Sequence, residues 1–128
     1  MKVSFDFDST LDNQYIQNYA VKLMNKGYDV HIVTSRPTYW TMDEVWDNSD
    51  LYAVAETLNI SKEKIHFTDY KPKKLFFLQN PDFLFHLDDD HIEIEEIGHS
   101  TKVKAVLLDE NWEIKLNVIC DINNYVKF

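Results

Sequence analysis

The chain has 128 residues, 45% of them apolar and 14% aromatic, which suits one domain with a real core and disfavours disorder. Thirteen Lys and Arg against 22 Asp and Glu give a net charge of −9, a field that repels phosphate backbones and disfavours non-specific nucleic-acid binding. Two glycines and one cysteine exclude a Walker loop, a dinucleotide fingerprint, a disulfide framework and a multi-cysteine zinc site.

The first predicted element is a strand over Lys2–Asp8, in which Val3, Phe5 and Phe7 alternate. No signal-peptide apolar region precedes it, and no apolar run approaches the ~20 residues that span a bilayer, so a soluble, cytoplasmic domain is expected. Ser9, Thr10, Asp12 and Asn13 suit a turn and a helix N-cap. Ile16, Tyr19, Ala20, Leu23 and Met24 then form one helical stripe, which Gly27 is placed to end. Asp29–Thr34 reads as a second strand, closed by Ser35-Arg36-Pro37. Thr41 and Glu44 form a capping box before a short helix. Asp50 caps another, with Leu51, Val54, Ala55 and Leu58 on its buried face.

Lys64–Phe67 reads as a third strand, and Pro72 opens a helix through Leu78. Phe83–Leu87 is a continuous apolar run ending in Asp88-Asp89-Asp90, and Lys102–Leu108 is a fifth strand. After Trp112 the pattern is ambiguous: Ile114, Leu116 and Val118 alternate as in a strand, while Asp121–Phe128 suits a short helix. Strands separated by helices imply an α/β fold, a parallel sheet of about five strands with helices on both faces. In such sheets the ligand site lies outside the carboxyl ends of the strands. Asp6-Phe7-Asp8, Thr34-Ser35-Arg36 and Asp88-Asp89-Asp90 all map there, with Lys71, Lys73 and Lys74 opening the helix before the fourth strand.

Aspartates at the ends of neighbouring strands repel one another unless a hard cation such as Mg²⁺ compensates them. A metal beside a hydroxyl and a lysine makes a phosphate pocket. One carboxylate there can attack phosphorus, and a second can move the proton.

On these residues the chain resembles the haloacid dehalogenase-like (HAD) superfamily. Asp6-Phe7-Asp8-Ser9-Thr10 is similar to its DxDx[TV] signature, and Val33-Thr34-Ser35 to its second motif. One of the three lysines corresponds to the third, and Leu87-Asp88-Asp89 to the acidic fourth. The resemblance covers roughly the first hundred residues, on four short motifs in the family's order. It implies a three-layer Rossmann-like fold and a Mg²⁺-dependent phosphatase that forms an aspartyl-phosphate. Asp6 would be nucleophile and metal ligand. Asp8 would be general acid and base, with its backbone carbonyl on the metal. Thr10, Thr34, Ser35 and a lysine would hold the phosphoryl group, and Asp88 and Asp89 would complete the metal site. Lys74 is favoured for its spacing to Leu78 and Asp88; Lys73 follows, and Lys71 matches a Lys-Pro form of the motif.

Only one helix fits between Asp8 and the second strand, and about two between Thr34 and Lys64. A single domain over residues 1–128 without a separate cap is therefore expected, with an open site. Arg36, the only arginine, suits either a substrate contact or a structural carboxylate pair. Tyr39, Trp40 and Trp46 suit edge packing more than base stacking. His31, His66 and His86 read as packed strand residues, and Cys120 as a small core side chain. Expected partners are a phosphorylated small molecule, a nucleotide or a nucleic-acid end, with an oligomer closing the site in some open-site relatives. Two other classes compete: a two-metal nuclease or phosphodiesterase needing a further ligand such as Asp90, and a non-catalytic phosphate-binding module.

Overall fold

Five strands, β1 (Lys2–Phe5), β2 (Asp29–Thr34), β3 (Ile65–Phe67), β4 (Phe83–Asp88) and β5 (Lys104–Leu107), pair in parallel in the order β3-β2-β1-β4-β5. The structure is a computed structural model and describes residues 1–39 and 47–122. The capping box at Thr41–Glu44, the side chains of Trp40 and Trp46, and all but the start of the expected terminal helix lie outside the described residues.

Helices α1 (Gln14–Asn25), α2 (Ser49–Thr57), α3 (Lys73–Gln79), α4 (His91–Ser100) and α5 (Trp112–Ile119) complete an α/β fold. Ile16, Tyr19, Leu23, Leu51, Ala55 and Leu116 bury α1, α2 and α5 against Val3, Phe5, Ile32, Phe85 and Leu87. On the other side, Phe77 of α3 and Ile97 of α4 pack with Val33, Phe83 and Val103. The result is three layers, as the alternation of strands and helices predicts. No described helix is long and apolar enough to cross a membrane.

Several expected boundaries move. β1 ends at Phe5 rather than Asp8, because the chain turns at once into a wide, π-type turn over Phe7–Leu11. There the Leu11 N–H donates to the Asp6 carbonyl at 3.1 Å and the Asp12 N–H to that of Phe7 at 3.1 Å. Ser9 takes φ +59 within it. Of the four turn and cap residues expected there, Asn13 caps α1, accepting from the Tyr15 N–H at 2.7 Å, and Gly27 follows the helix at φ +94, as expected of a terminator. Trp112–Ile119 is helical: Leu116 and Cys120 are buried one turn apart, whereas Ile114 and Val118 are exposed, so the strand-like alternation is incidental.

The strand order reverses between β1 and β4. β2 and β3 are added on one side of β1, and α3 then carries the chain back to the other. Parallel sheets of this kind open a crevice at that reversal, outside the strands' carboxyl ends.

Candidate active site

Asp6 and Asp88 stand at that crevice, one just after β1 and the other at the end of β4. Strand alternation fixes what lies beneath them: Ser4 shares the face of Asp6, and His86 that of Asp88. The Asp6 N–H donates to the Leu87 carbonyl at 2.9 Å, which keeps the strands in register up to the site.

Lys73 is the lysine that reaches the carboxylates. Its Nζ donates to Asp6 Oδ1 at 2.8 Å and to Asp88 Oδ2 at 2.5 Å, and the side chain is almost fully buried. Lys74, favoured from spacing, is half-buried beside it and Lys71 is exposed; neither touches the cluster. The β3–α3 connection delivers Lys73. Thr68, Asp69 and Tyr70 donate backbone N–H bonds to the carbonyls of Thr34, Arg36 and Ser35 at 2.9, 3.2 and 2.7 Å. Asp69 and Tyr70 both take the left-handed conformation, φ 56 and 65, turning the chain into α3. Glu93 Oε1 accepts the Lys73 backbone N–H at 3.2 Å and anchors the start of that helix.

Beneath the pair lies a buried polar column. Asp88 Oδ2 also accepts from His86 Nε2 at 2.8 Å, and Ser4 Oγ lies 2.8 Å from His86 Nδ1. Burial pushes the His86 pKa down, which favours the neutral ring; with Nε2 facing the Asp88 carboxylate, Nδ1 is then the acceptor offered to the Ser4 hydroxyl. Asp88 Oδ1 accepts the Asp90 N–H at 3.0 Å. Burial alone would raise the Asp88 pKa, but the His86 and Lys73 bonds hold it well below the usual carboxylate range. For Lys73 burial opposes the charge, and Asp6 and Asp88 overcome it, so the ammonium is kept.

Asp6 shows the opposite balance. Burial, reinforced by the Asp88 charge, pushes its carboxyl up to about 8 against the pull of Lys73. Asp89, at the rim, is also raised, first by partial burial and then by Asp88. Asp6, Asp88 and Asp89 each offer an oxygen within 4.8 Å of the others, a cluster that could hold a metal ion. With all three carboxylates ionised the cluster would carry two negative charges against one ammonium, a state that the raised Asp6 and Asp89 carboxyls resist and a cation would favour. An all-oxygen donor set with that residual charge fits a hard divalent cation such as Mg²⁺.

The other expected site residues surround this cluster in different roles. Thr10 is fully buried and its hydroxyl donates to Asp6 Oδ2 at 3.4 Å, so it orients that carboxylate. Thr34 is fully buried at the end of β2, its Oγ1 accepting the Arg36 N–H at 3.2 Å, and Ser35 is half-buried beside it. The Asp8 carboxylate is not one of the three clustered groups and is held by Arg36 at 2.7 and 3.0 Å, which leaves its backbone carbonyl as the group expected toward a metal. Of the two roles open to Arg36, the structure contains the carboxylate pair. Asp90, the extra ligand a two-metal site needs, caps α4 by accepting from the Ile92 and Glu93 N–H groups at 2.9 and 3.4 Å.

His86, Ser4 and Glu93 support the site and were not singled out for it from sequence. A signal existed for the first two: each precedes a site aspartate by two residues, on the same strand face. Comparison with protein-family models, with curated proteins and with solved structures finds no significant match to this chain.

Proposed function

We propose that this protein is a Mg²⁺-dependent phosphomonoesterase of the haloacid dehalogenase-like type, working through an aspartyl-phosphate on Asp6. The observation that carries the reading is the buried Asp6, paired with Lys73 and clustered with Asp88 and Asp89 at the sheet's reversal point. Asp8, two residues on, has a carboxylate more than half exposed, open to a leaving group. When bound, Mg²⁺ would supply the charge that keeps Asp6 ionised and offsets the phosphoryl oxygens.

The protein's own groups divide the remaining work. Thr10 and Lys73 aim the Asp6 carboxylate, which attacks phosphorus as the P–O bond to the leaving group breaks. Asp8 gives its proton to the departing oxygen, then takes one from the water that cleaves the Asp6–phosphorus bond. Thr34, Ser35 and Lys73 offer hydroxyls and an ammonium to the phosphoryl oxygens. Substrates on this reading are phosphorylated small molecules, nucleotides or a phosphorylated nucleic-acid end, and the setting is cytoplasmic. The use of Asp90 as a helix cap counts against the two-metal nuclease reading.

Steady-state hydrolysis of an aryl phosphate with and without Mg²⁺ tests this. The parent should turn over only with Mg²⁺, and Asp6→Asn should lose at least about 10⁴-fold in kcat, the scale expected on removing a nucleophile. Activity retained in that variant would sink the mechanism.

A further inference from the structure

Arg36 carries the only guanidinium in the chain, and every N–H it owns is already engaged. Nε and Nη2 donate to the two oxygens of Asp8, at 3.0 and 2.7 Å. Nη1 and Nη2 donate to the two oxygens of Asp50, at 2.8 and 3.0 Å. The second proton of Nη1 goes to Asn48 Oδ1 at 3.3 Å. That accounts for all five donors of a guanidinium. Its central carbon lies 5.0 Å from the centre of the Phe7 ring, and the side chain is only 13% exposed. Asp50 stands in the first turn of α2, and Asn48 is buried and donates to the Pro37 and Thr38 carbonyls at 3.0 and 3.1 Å. The guanidinium is thus fixed from four sides before any ligand arrives.

An arginine meant to clamp a phosphate keeps its fork free for it. Here one fork faces Asp8 and the other is locked in a second carboxylate. We infer that Arg36 is a positioning residue, which holds the Asp8 carboxyl in its proton-transfer orientation and does not contact the substrate. The inference rests on the phosphatase reading above. Arg36 occupies one lone pair on each Asp8 oxygen and leaves the other for the travelling proton. Asp50 and Asn48 are then the outer braces of the acid, although they lie 42 and 40 residues from it in sequence.

The leaving group separates this role from its rivals. Proton donation matters for expelling phenolate and hardly matters for 2,4-dinitrophenolate, so kcat/KM is compared for phenyl phosphate and 2,4-dinitrophenyl phosphate. General acid catalysis is worth about 10²–10⁴-fold. Arg36→Gln should therefore lose on the order of 10–100-fold more on phenyl phosphate than on the dinitrophenyl ester, with KM within about twofold of the parent. Arg36→Lys should not rescue, because an ammonium cannot make two forks. Adding Arg36→Gln to Asp8→Asn should cost less than about threefold more, since the two act as one unit. Asp50→Asn keeps the fold's apolar contacts and should show the same split in smaller size, so it carries the test if Arg36→Gln fails to fold.

Equal losses on both esters with a raised KM would overturn the assignment in favour of substrate contact. Equal losses with unchanged KM and a lowered Tm would overturn it in favour of mere stability. If the parent turns over in an Asp6-dependent way and no split appears, the Arg36 role alone falls. A parent inert toward both esters removes the phosphatase reading, and the Arg36 role with it.

Discussion

The two faces of the sheet are made from the same strands and hold opposite chemistry. On one face Val3 and Phe5 of β1 and Phe85 and Leu87 of β4 join the large apolar cluster under α1, α2 and α5. On the other, the alternate residues Ser4, Asp6, His86 and Asp88 build a polar column capped by Lys73, with a small apolar cluster beside it. The first face supplies stability through burial. The second contains buried charges that are tolerated only because each is paired, and their mutual compensation is incomplete. A sheet with one conventional core can thus keep an electrostatically tense site on its reverse.

Substitutions on each face should break that contrast in different ways. Lys73→Met leaves Asp6 and Asp88 buried without their cation and should cost about 3–5 kcal/mol in urea unfolding. Leu23→Ala, on the apolar face, should cost a similar ~2–5 kcal/mol by opening a cavity. Only the first loss should shrink on adding Mg²⁺, because only there does a cation replace missing charge; equal responses would refute the contrast. Mg²⁺ should also stabilise the parent, by about 2.7 kcal/mol at a hundred times its Kd, and a thermal scan of Asp88→Asn should show no such rise. Lys74→Met, one residue from the buried lysine, should stay within about 0.5 kcal/mol of the parent and keep the Mg²⁺ response.

The smallest effect concerns pH. Burial, aided by His31 and Lys2, lowers the His66 pKa from 6.5 to about 4. The unfolded chain therefore binds more protons than the folded one between these values, and stability rises with pH across that window and is lost as pH falls. The ring is only part-buried, so solvent screening limits the change to on the order of 1 kcal/mol. His66→Phe should flatten the profile between pH 4 and 6.5; an unchanged slope would assign it to other groups.

Much of this arrangement was legible in the chain, and the exceptions have physical reasons. β2 spans the expected Asp29–Thr34, because a run of β-branched residues bounded by Ser-Arg-Pro leaves little choice. The convergence of Asp6, Thr34 and Asp88 on one edge follows from parallel strands alone. Helix phase decides which lysine reaches the two carboxylates. Lys74 shares a stripe with Leu78, four residues on, but Leu78 is 52% exposed, whereas Phe77, four after Lys73, is fully buried. Two adjacent phenylalanines, Phe76 and Phe77, hide that phase, and one residue turns a side chain by about 100°. Arg36 was ambiguous for another reason: its partners lie 28 and 14 residues away, and no local pattern reports such pairs.

The Lys73–Asp6 bond joins residues 67 apart in sequence, and it lies beside a strand, β4, that follows three others along the chain. A growing chain therefore carries Asp6 as an ordinary solvated acid until α3 and β4 have emerged. A cation that binds this cluster would therefore favour chains in which β4 has already joined β1, and would leave earlier stages of assembly unaffected.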